Sequence, residues 1–122
     1  MTLHNQKVGR HGERLAEAHL IAQGAQLLER NFRVDYGEID LLFEHDGDLV
    51  AVEVKTRGVE DLEQPEEAVS WRQLNRIAQV MTSYAMDNDR MDTAWRIDVV
   101  LIVIQPDGSV LRLDHLRSIY PG

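Results

Sequence analysis

The 122-residue chain has no cysteine, a formal net charge of −8, 43% hydrophobic and 28% charged residues, the composition of one globular domain with one core. Disulfides and thiolate metal sites are thereby excluded. No apolar run approaches the roughly 20 residues needed to span a bilayer, and "MTLHNQKVGRHGERL" has no apolar signal-peptide core, so a cytoplasmic protein without membrane association is expected.

The first predicted element is a helix from about Arg10 to Gln23, with Leu15, Ala18 and Ala22 at helical spacing and Gly24 ending it. "QLLERNFRV" reads as a strand and Tyr36-Gly37 as a bend. From Gly37 to Arg57 the pattern is a β-hairpin turned at Asp46-Gly47, the strongest short hairpin signal. "GVEDLEQPEE" is an acidic loop whose Pro65 suits the first turn of a helix. That second helix repeats apolar residues at Trp71, Leu74, Ile77, Ala78, Met81 and Tyr84, and fades by "DNDRMD". "WRIDVVLIVI" has the pattern of a strand buried on both faces, and Asp107-Gly108 turns it into a last strand, "SVLRLDHL". The order is αβββαββ, an α/β domain spanning residues 1–122 with a mixed central sheet flanked by helices.

Charge is unevenly spread. Residues 35–69 hold twelve acids against Lys55 and Arg57, whereas residues 1–34 carry five bases and three acids. The acidity therefore belongs to the hairpin and the following loop, and the flanks remain able to present positive charge.

The turn at Asp46-Gly47 sets the hairpin register. Phe43 then faces Val50, Leu41 faces Val52 and Ile39 faces Val54, an apolar row for the core. On the other face Leu42 meets Ala51, Asp40 meets Glu53, and Glu38 meets Lys55. A one-residue slip would invert both faces. Asp40 and Glu53 become direct neighbours with Cβ atoms roughly 5 Å apart. Carboxylates that close share a proton, splay into solvent, or share a cation. Mg²⁺ suits such a pair, since it takes one or two carboxylates together with water and phosphate oxygen. Lys55, two residues beyond Glu53, is placed to steady an attacking water or developing negative charge. A solvated ladder of charges on the outer face of the hairpin fits the same spacing, and both readings stay open here.

Asp40, followed after twelve residues by Glu53-Val54-Lys55, fits the Asp…Glu-x-Lys pattern of the restriction-endonuclease-like (PD-(D/E)xK) nucleases. The longer run "GRHGERLAEAHL…GEIDLLFEHDGDLVAVEVKTR…RIDVVLI…HLR" resembles the YraN-like family of bacterial proteins, whose nearest nuclease relatives are Holliday-junction resolvases. The resemblance covers nearly the whole chain. It implies a restriction-endonuclease-like core and Mg²⁺- or Mn²⁺-dependent hydrolysis of phosphodiester bonds in DNA, with branched substrates and a homodimer as further expectations. Asp40 and Glu53 would bind the metal and Lys55 would assist the water. Glu13 of "GRHGE" matches an acid that resolvase-like relatives place beside the metal, although any first helical turn favours a carboxylate. Arg57 is expected to touch phosphate, and Glu38 to partner Lys55.

The second helix departs from the family pattern. Gln73 and Leu74 stand where relatives carry a Lys-Gln pair, and Asn75 where a base is common; Arg72 and Arg76 remain as candidate nucleic-acid contacts. Loss of positive charge there weakens the term that dominates DNA affinity, so a nuclease-fold protein that binds nucleic acid or a protein partner without cleaving is the competing expectation.

Other residues draw blander expectations. The five histidines (His4, His11, His19, His45, His115) lack zinc-ligand spacing. Asp98 should pair with Arg96 or a backbone group, and Trp71 and Trp95 should fill the core. No Gly-rich phosphate loop or nucleophile elbow is present.

Overall fold

The computed structural model describes residues 3–61 and 64–120, with side chains from residue 7 onward; Leu62 and Glu63 of the acidic loop and the side chain of His4 lie outside the described residues. The elements run α1 (Leu3–Ala22), β1 (Gln26–Val34), β2 (Gly37–His45), β3 (Asp48–Gly58), a 3₁₀ turn (Pro65–Glu67), α2 (Trp71–Asp87), β4 (Trp95–Ile104) and β5 (Val110–Leu116). The predicted αβββαββ order holds, with one 3₁₀ turn inserted. Among the described residues no helix is long and apolar enough to cross a membrane.

Local chemistry explains the boundaries. The first helix begins well before Arg10, and it closes in a Schellman motif: Gly24 (φ 96°) donates to the Ile21 carbonyl and Ala25 to that of Leu20. Pro65 opens the 3₁₀ turn and not α2. The second helix starts at a capping box instead, in which Ser70 Oγ accepts from the Gln73 amide and Gln73 Oε1 from the Ser70 amide, both at 3.2 Å. Asp46 (φ 52°) and Gly47 (φ 86°) both take positive φ, as a two-residue hairpin turn requires.

One five-stranded sheet has the order β1-β2-β3-β4-β5. Neighbours are antiparallel except β3 and β4, which pair in parallel without a break from Leu49↔Trp95 to Gly58↔Ile104. Parallel neighbours need a crossover, and α2 lies in it. The helices take opposite faces. Ala16 and Leu20 of α1 pack with Leu41, Phe43, Val50, Val52, Val100 and Ile102. Leu74, Ile77, Val80, Met81 and Tyr84 of α2 pack with Ile39, Leu42, Leu49, Ala51 and Ile97. The hairpin is therefore buried on both faces, and Leu42 and Ala51, the expected outer row, form part of the second core.

Trp71 does not fill that core. It is 60% exposed, and its ring meets Tyr120 edge-on at 5.7 Å, while Tyr120 stacks on Trp95 at 6.1 Å. Val80 and Ala85 are buried on α2 in addition to the predicted stripe.

Asp98 is the fully buried charge of β4 (0% exposed). Arg96 Nε donates to it at 3.1 Å, as expected, and the Ser118 amide and His115 Nε2 add contacts at 3.0 and 2.8 Å. His115 Nδ1 continues to His19 Nε2 of α1 at 3.1 Å, so the network ties α1, β4 and β5 together. Burial pushes the Asp98 carboxyl up, but the bonds from His115 and Ser118 and the Arg96 charge outweigh it, and the net shift is downward. A depressed carboxylate contributes stability above its unfolded pKa, and that contribution is lost as pH falls through the folded pKa. Asp98→Asn should cost about 3 kcal/mol, because a buried cation loses its partner. The gap between variant and wild type, read by urea denaturation at pH 7 and again well below pH 4, should narrow at the lower pH.

Candidate active site

The β2–β3 ladder follows the predicted register from His45↔Asp48 to Leu41↔Val52, and there it stops. Asp40 and Glu53 are consequently not backbone partners, a correction to the expected adjacent rung. Asp40 Oδ2 accepts from the Val54 amide at 2.9 Å, so a side chain stands where the next strand contact would be. Side-chain alternation along β2 also breaks at this point. Leu41 belongs to the α1 core, Leu42 to the α2 core, and Ile39 again to the α2 core. Gly37, two residues before Ile39, also faces α2, since a Cβ there would lie 2.8 Å from Arg76 Cγ and 2.9 Å from Val80 Cγ2.

The two carboxyl groups still meet, through their side chains. Asp40 is pushed up to about 9, first by burial, then by a side-chain hydrogen bond with Glu53 and by the Glu53 charge, with the Val54 amide opposing. Lys55 Nζ lies 3.6 Å from Glu53 Oε2, and both side chains are largely covered (19% and 13% exposed). The expected Glu38–Lys55 pair is absent. Glu38 instead accepts from Nε and Nη2 of Arg33 at 3.1 and 2.8 Å across the β1–β2 pair, because β3 has already diverged.

Asp40, Glu53 and Glu38 border two depressions. The larger, about 1400 Å³, is also lined by Glu13, His11, Lys55 and Arg57. The smaller, about 420 Å³, opens toward α2 and is lined by Arg33, Gln73 and Arg76. The sheet's charged corner is thus open between the two helices.

Glu13 is brought to the site by Gly12, where an added Cβ would lie 2.0 Å from Thr56 Oγ1 on β3. Only a residue without a side chain lets α1 approach so closely. Glu13 Oε1 accepts from Asn31 Nδ2 at 3.2 Å. Burial holds Glu13 above the usual carboxylate range; the Asn31 bond opposes this, and the charges of Asp40 and Glu38 reinforce it. Yet among the described residues no three His, Asp or Glu side chains converge tightly enough to hold an ion together. Glu13 lines the same cleft as the pair.

The arginines separate. Arg57 lines the larger cleft, with Nη1 on the Thr56 carbonyl at 3.1 Å. Arg76 lines the smaller depression beside the carboxylates, whereas Arg72 is exposed on α2 and lines neither. Asn31 and Arg33 were missed by the sequence reading. Asn31 carries a positive φ (49°) opposite this part of β2, a conformation asparagine tolerates but one that no local pattern marks.

The profile of the uncharacterised protein family UPF0102 matches residues 12–102, a span that includes Glu13, Asp40, Glu53, Lys55, Arg57, Arg72 and Arg76. The chain belongs to this family. Similar UPF0102 proteins occur in Dictyoglomus turgidum (33% identical, covering 97% of this chain and 100% of that one), Frankia alni (39%, covering 93% of each) and a Nocardioides species (43%, covering 93% and 91%). Among solved structures, this UPF0102 chain is similar to SfsA of Pyrococcus furiosus, determined in complex with Ca²⁺, with a TM-score of 0.46 and 15% identity. The match covers 92% of this chain and 64% of that one.

Two carboxyl groups pressed together are a cost to the folded state once both ionise. A carboxyl whose folded pKa is raised contributes its stability fully below the unfolded pKa of 3.8, and loses it as pH rises toward about 9. Asp40→Asn keeps an acceptor for the Val54 amide and removes the repulsion. In chelator-treated buffer at pH 8 it should raise stability by on the order of 1–2 kcal/mol, visible as a higher melting temperature, with the gain vanishing near pH 3.

Proposed function

We propose that this UPF0102 protein hydrolyses phosphodiester bonds in DNA with the help of Mg²⁺ or Mn²⁺, and that its αβββαββ domain is a restriction-endonuclease-like core. One observation carries the reading: Asp40 and Glu53 are half-buried with their side chains in contact at the mouth of an open cleft, with the Lys55 ammonium 3.6 Å from Glu53. The donor set fits a hard divalent cation. It offers carboxylate oxygens only, already crowded enough to hold a proton between them, and leaves space on the cleft side for water and a phosphate oxygen.

Asp40 and Glu53 would hold the ion, giving up the proton that otherwise relieves their repulsion. The bound cation supplies positive charge against the phosphate and favours attack by water. The Val54 amide fixes one oxygen of Asp40 and so the aim of the carboxylate. Lys55 is held by Glu53, with its charge directed at the region where negative charge gathers during attack. Arg57 and Arg76, on the two sides of the pair, are positioned for flanking phosphates. Glu13, held by Asn31, faces the same cleft as a group able to orient water.

Binding without cleavage is the second reading. Its support is the start of α2, where Gln73, Leu74 and Asn75 bring no positive charge between Arg72 and Arg76, beside an acidic hairpin and loop.

Millimolar Mn²⁺ should raise the melting temperature of the wild type by several degrees, since a ligand of the native state stabilises it by mass action. Asp40→Asn and Glu53→Gln should abolish that shift. With Mn²⁺ present, single-stranded, duplex, flap and four-way-junction DNA should show at least one cleaved substrate, and Lys55→Ala should slow it roughly 100-fold. A metal-induced shift with every substrate intact would select the non-cleaving reading; no shift and no cleavage would remove both the metal and the nuclease.

A further inference from the structure

Helix α2 carries a large aromatic side chain that the core leaves outside, in sequence next to an arginine. Trp71 is 60% exposed although it opens the helix's apolar stripe. Its ring is held from one side by the edge-on contact with Tyr120, and Tyr120 is itself fixed by stacking on Trp95 and by a 2.7 Å hydrogen bond to Asn75 Oδ1. The tryptophan is therefore propped up on the surface, with its indole turned to solvent.

Along α2 itself the charges near that ring have one sign. From Trp71 to Met86 the helix has no acid, and its charged residues are Arg72 and Arg76, one turn apart and both exposed. In a protein of net charge −8, whose preceding loop is acidic, this is an isolated cationic strip. Helical spacing places Asn75 beside Trp71 and Arg76 one turn beyond Arg72, with the two arginines carried further around the outer face of the helix. Arg76 also lines the depression bordered by Asp40 and Glu53. From Arg76 back to Trp71 the helix rises about 7.5 Å and turns by about 140°, so the two side chains stand at opposite margins of its outer face, with Arg72 between them.

An exposed indole next to arginines, with no acid on the same strip, matches a polyanion that also has a flat apolar face to stack. A duplex lacks such a face, because its bases are already stacked on each other. We propose that the outer face of α2 binds single-stranded nucleic acid, with Trp71 stacking an unpaired base while Arg72 and Arg76 hold the phosphates that lead to the carboxylate pair. This inference deepens the nuclease reading and rests on it for the role of Asp40 and Glu53. The substrate class it names is DNA with unpaired nucleotides beside the bond to be cut, and the stacking contact itself needs no metal and no cleavage.

Binding of a fluorescein-labelled 20-nucleotide oligo-dT and of a blunt duplex of the same length, measured by anisotropy in EDTA, tests the contact apart from the chemistry. Trp71→Ala should weaken oligo-dT binding about tenfold and leave duplex binding within about twofold, whereas Trp71→Phe should keep most of the affinity. Arg72→Ala with Arg76→Ala should weaken both ligands and flatten the salt dependence. Loss of less than about twofold on oligo-dT in Trp71→Ala overturns the proposal, as does an equal loss on duplex or no binding by the wild type. A dimer in sedimentation that falls to monomer in Trp71→Ala, with oligo-dT affinity unchanged, also overturns it and makes this face a contact between copies. The two readings fail separately. If Asp40→Asn loses a metal-induced melting shift while Trp71→Ala binds oligo-dT normally, the site stands and the platform falls. If no shift or cleavage occurs but Trp71→Ala loses oligo-dT selectively, the platform stands and hydrolysis falls.

Discussion

Two carboxyl groups meet because β2 stops pairing with β3 after Leu41↔Val52, and the surrounding structure can be read as what keeps that opening in place. Asp40 turns into the gap and takes the Val54 amide, so the break in the ladder and the aim of the acid are one event. A ladder continued by one more rung would have set Asp40 and Glu53 side by side on a regular pleat. In the opened form their side chains converge instead, at a corner with an open depression on either side. Buried like charges are unfavourable to the fold by themselves, and such a cost is usually found where a protein binds or reacts something.

Support for this corner comes from both helices. On one side Gly12 lets α1 lie against Thr56, which carries Glu13 over the cleft. On the other, Gly37 admits Arg76 and Val80 of α2, so an arginine comes to the second entrance. Behind them the sheet is held by two separate apolar layers and by the Asp98–His115–His19 network, which binds α1 to β4 and β5. The apolar core of the molecule and its charged corner are therefore distinct. Burial of aliphatic residues on both faces of β3 and β4 stabilises the sheet, and the charged corner sits where the strand β2 leaves it.

Charge is distributed to match. Acids crowd the hairpin and the loop after it, while α2 presents arginines alone until Asp87. On the proposed reading, a strand of nucleic acid would find favourable charge along restricted tracks such as α2, which favours orientation over general affinity. Arg33 contributes indirectly by occupying Glu38, which removes one more negative charge from the competition around Lys55.

Much of this was legible in the residues themselves. The order of elements, the turn at Asp46-Gly47, the pairing of Leu41, Phe43, Val50 and Val52, and the partner for Asp98 all follow from periodicity, turn chemistry and the cost of a buried charge, which act over short stretches of chain. Asp40, Glu53 and Lys55 could be singled out for the same reason, as charges in a hairpin too apolar to be wet. What only the tertiary structure decided depends on which segment lies next to which. An apolar strand such as β4 looks the same whether its neighbour runs parallel or antiparallel. The ladder's early end, the diversion of Glu38 to Arg33, and the exposure of Trp71 on Tyr120 each arise from contacts between distant segments, where several local preferences compete and packing selects one.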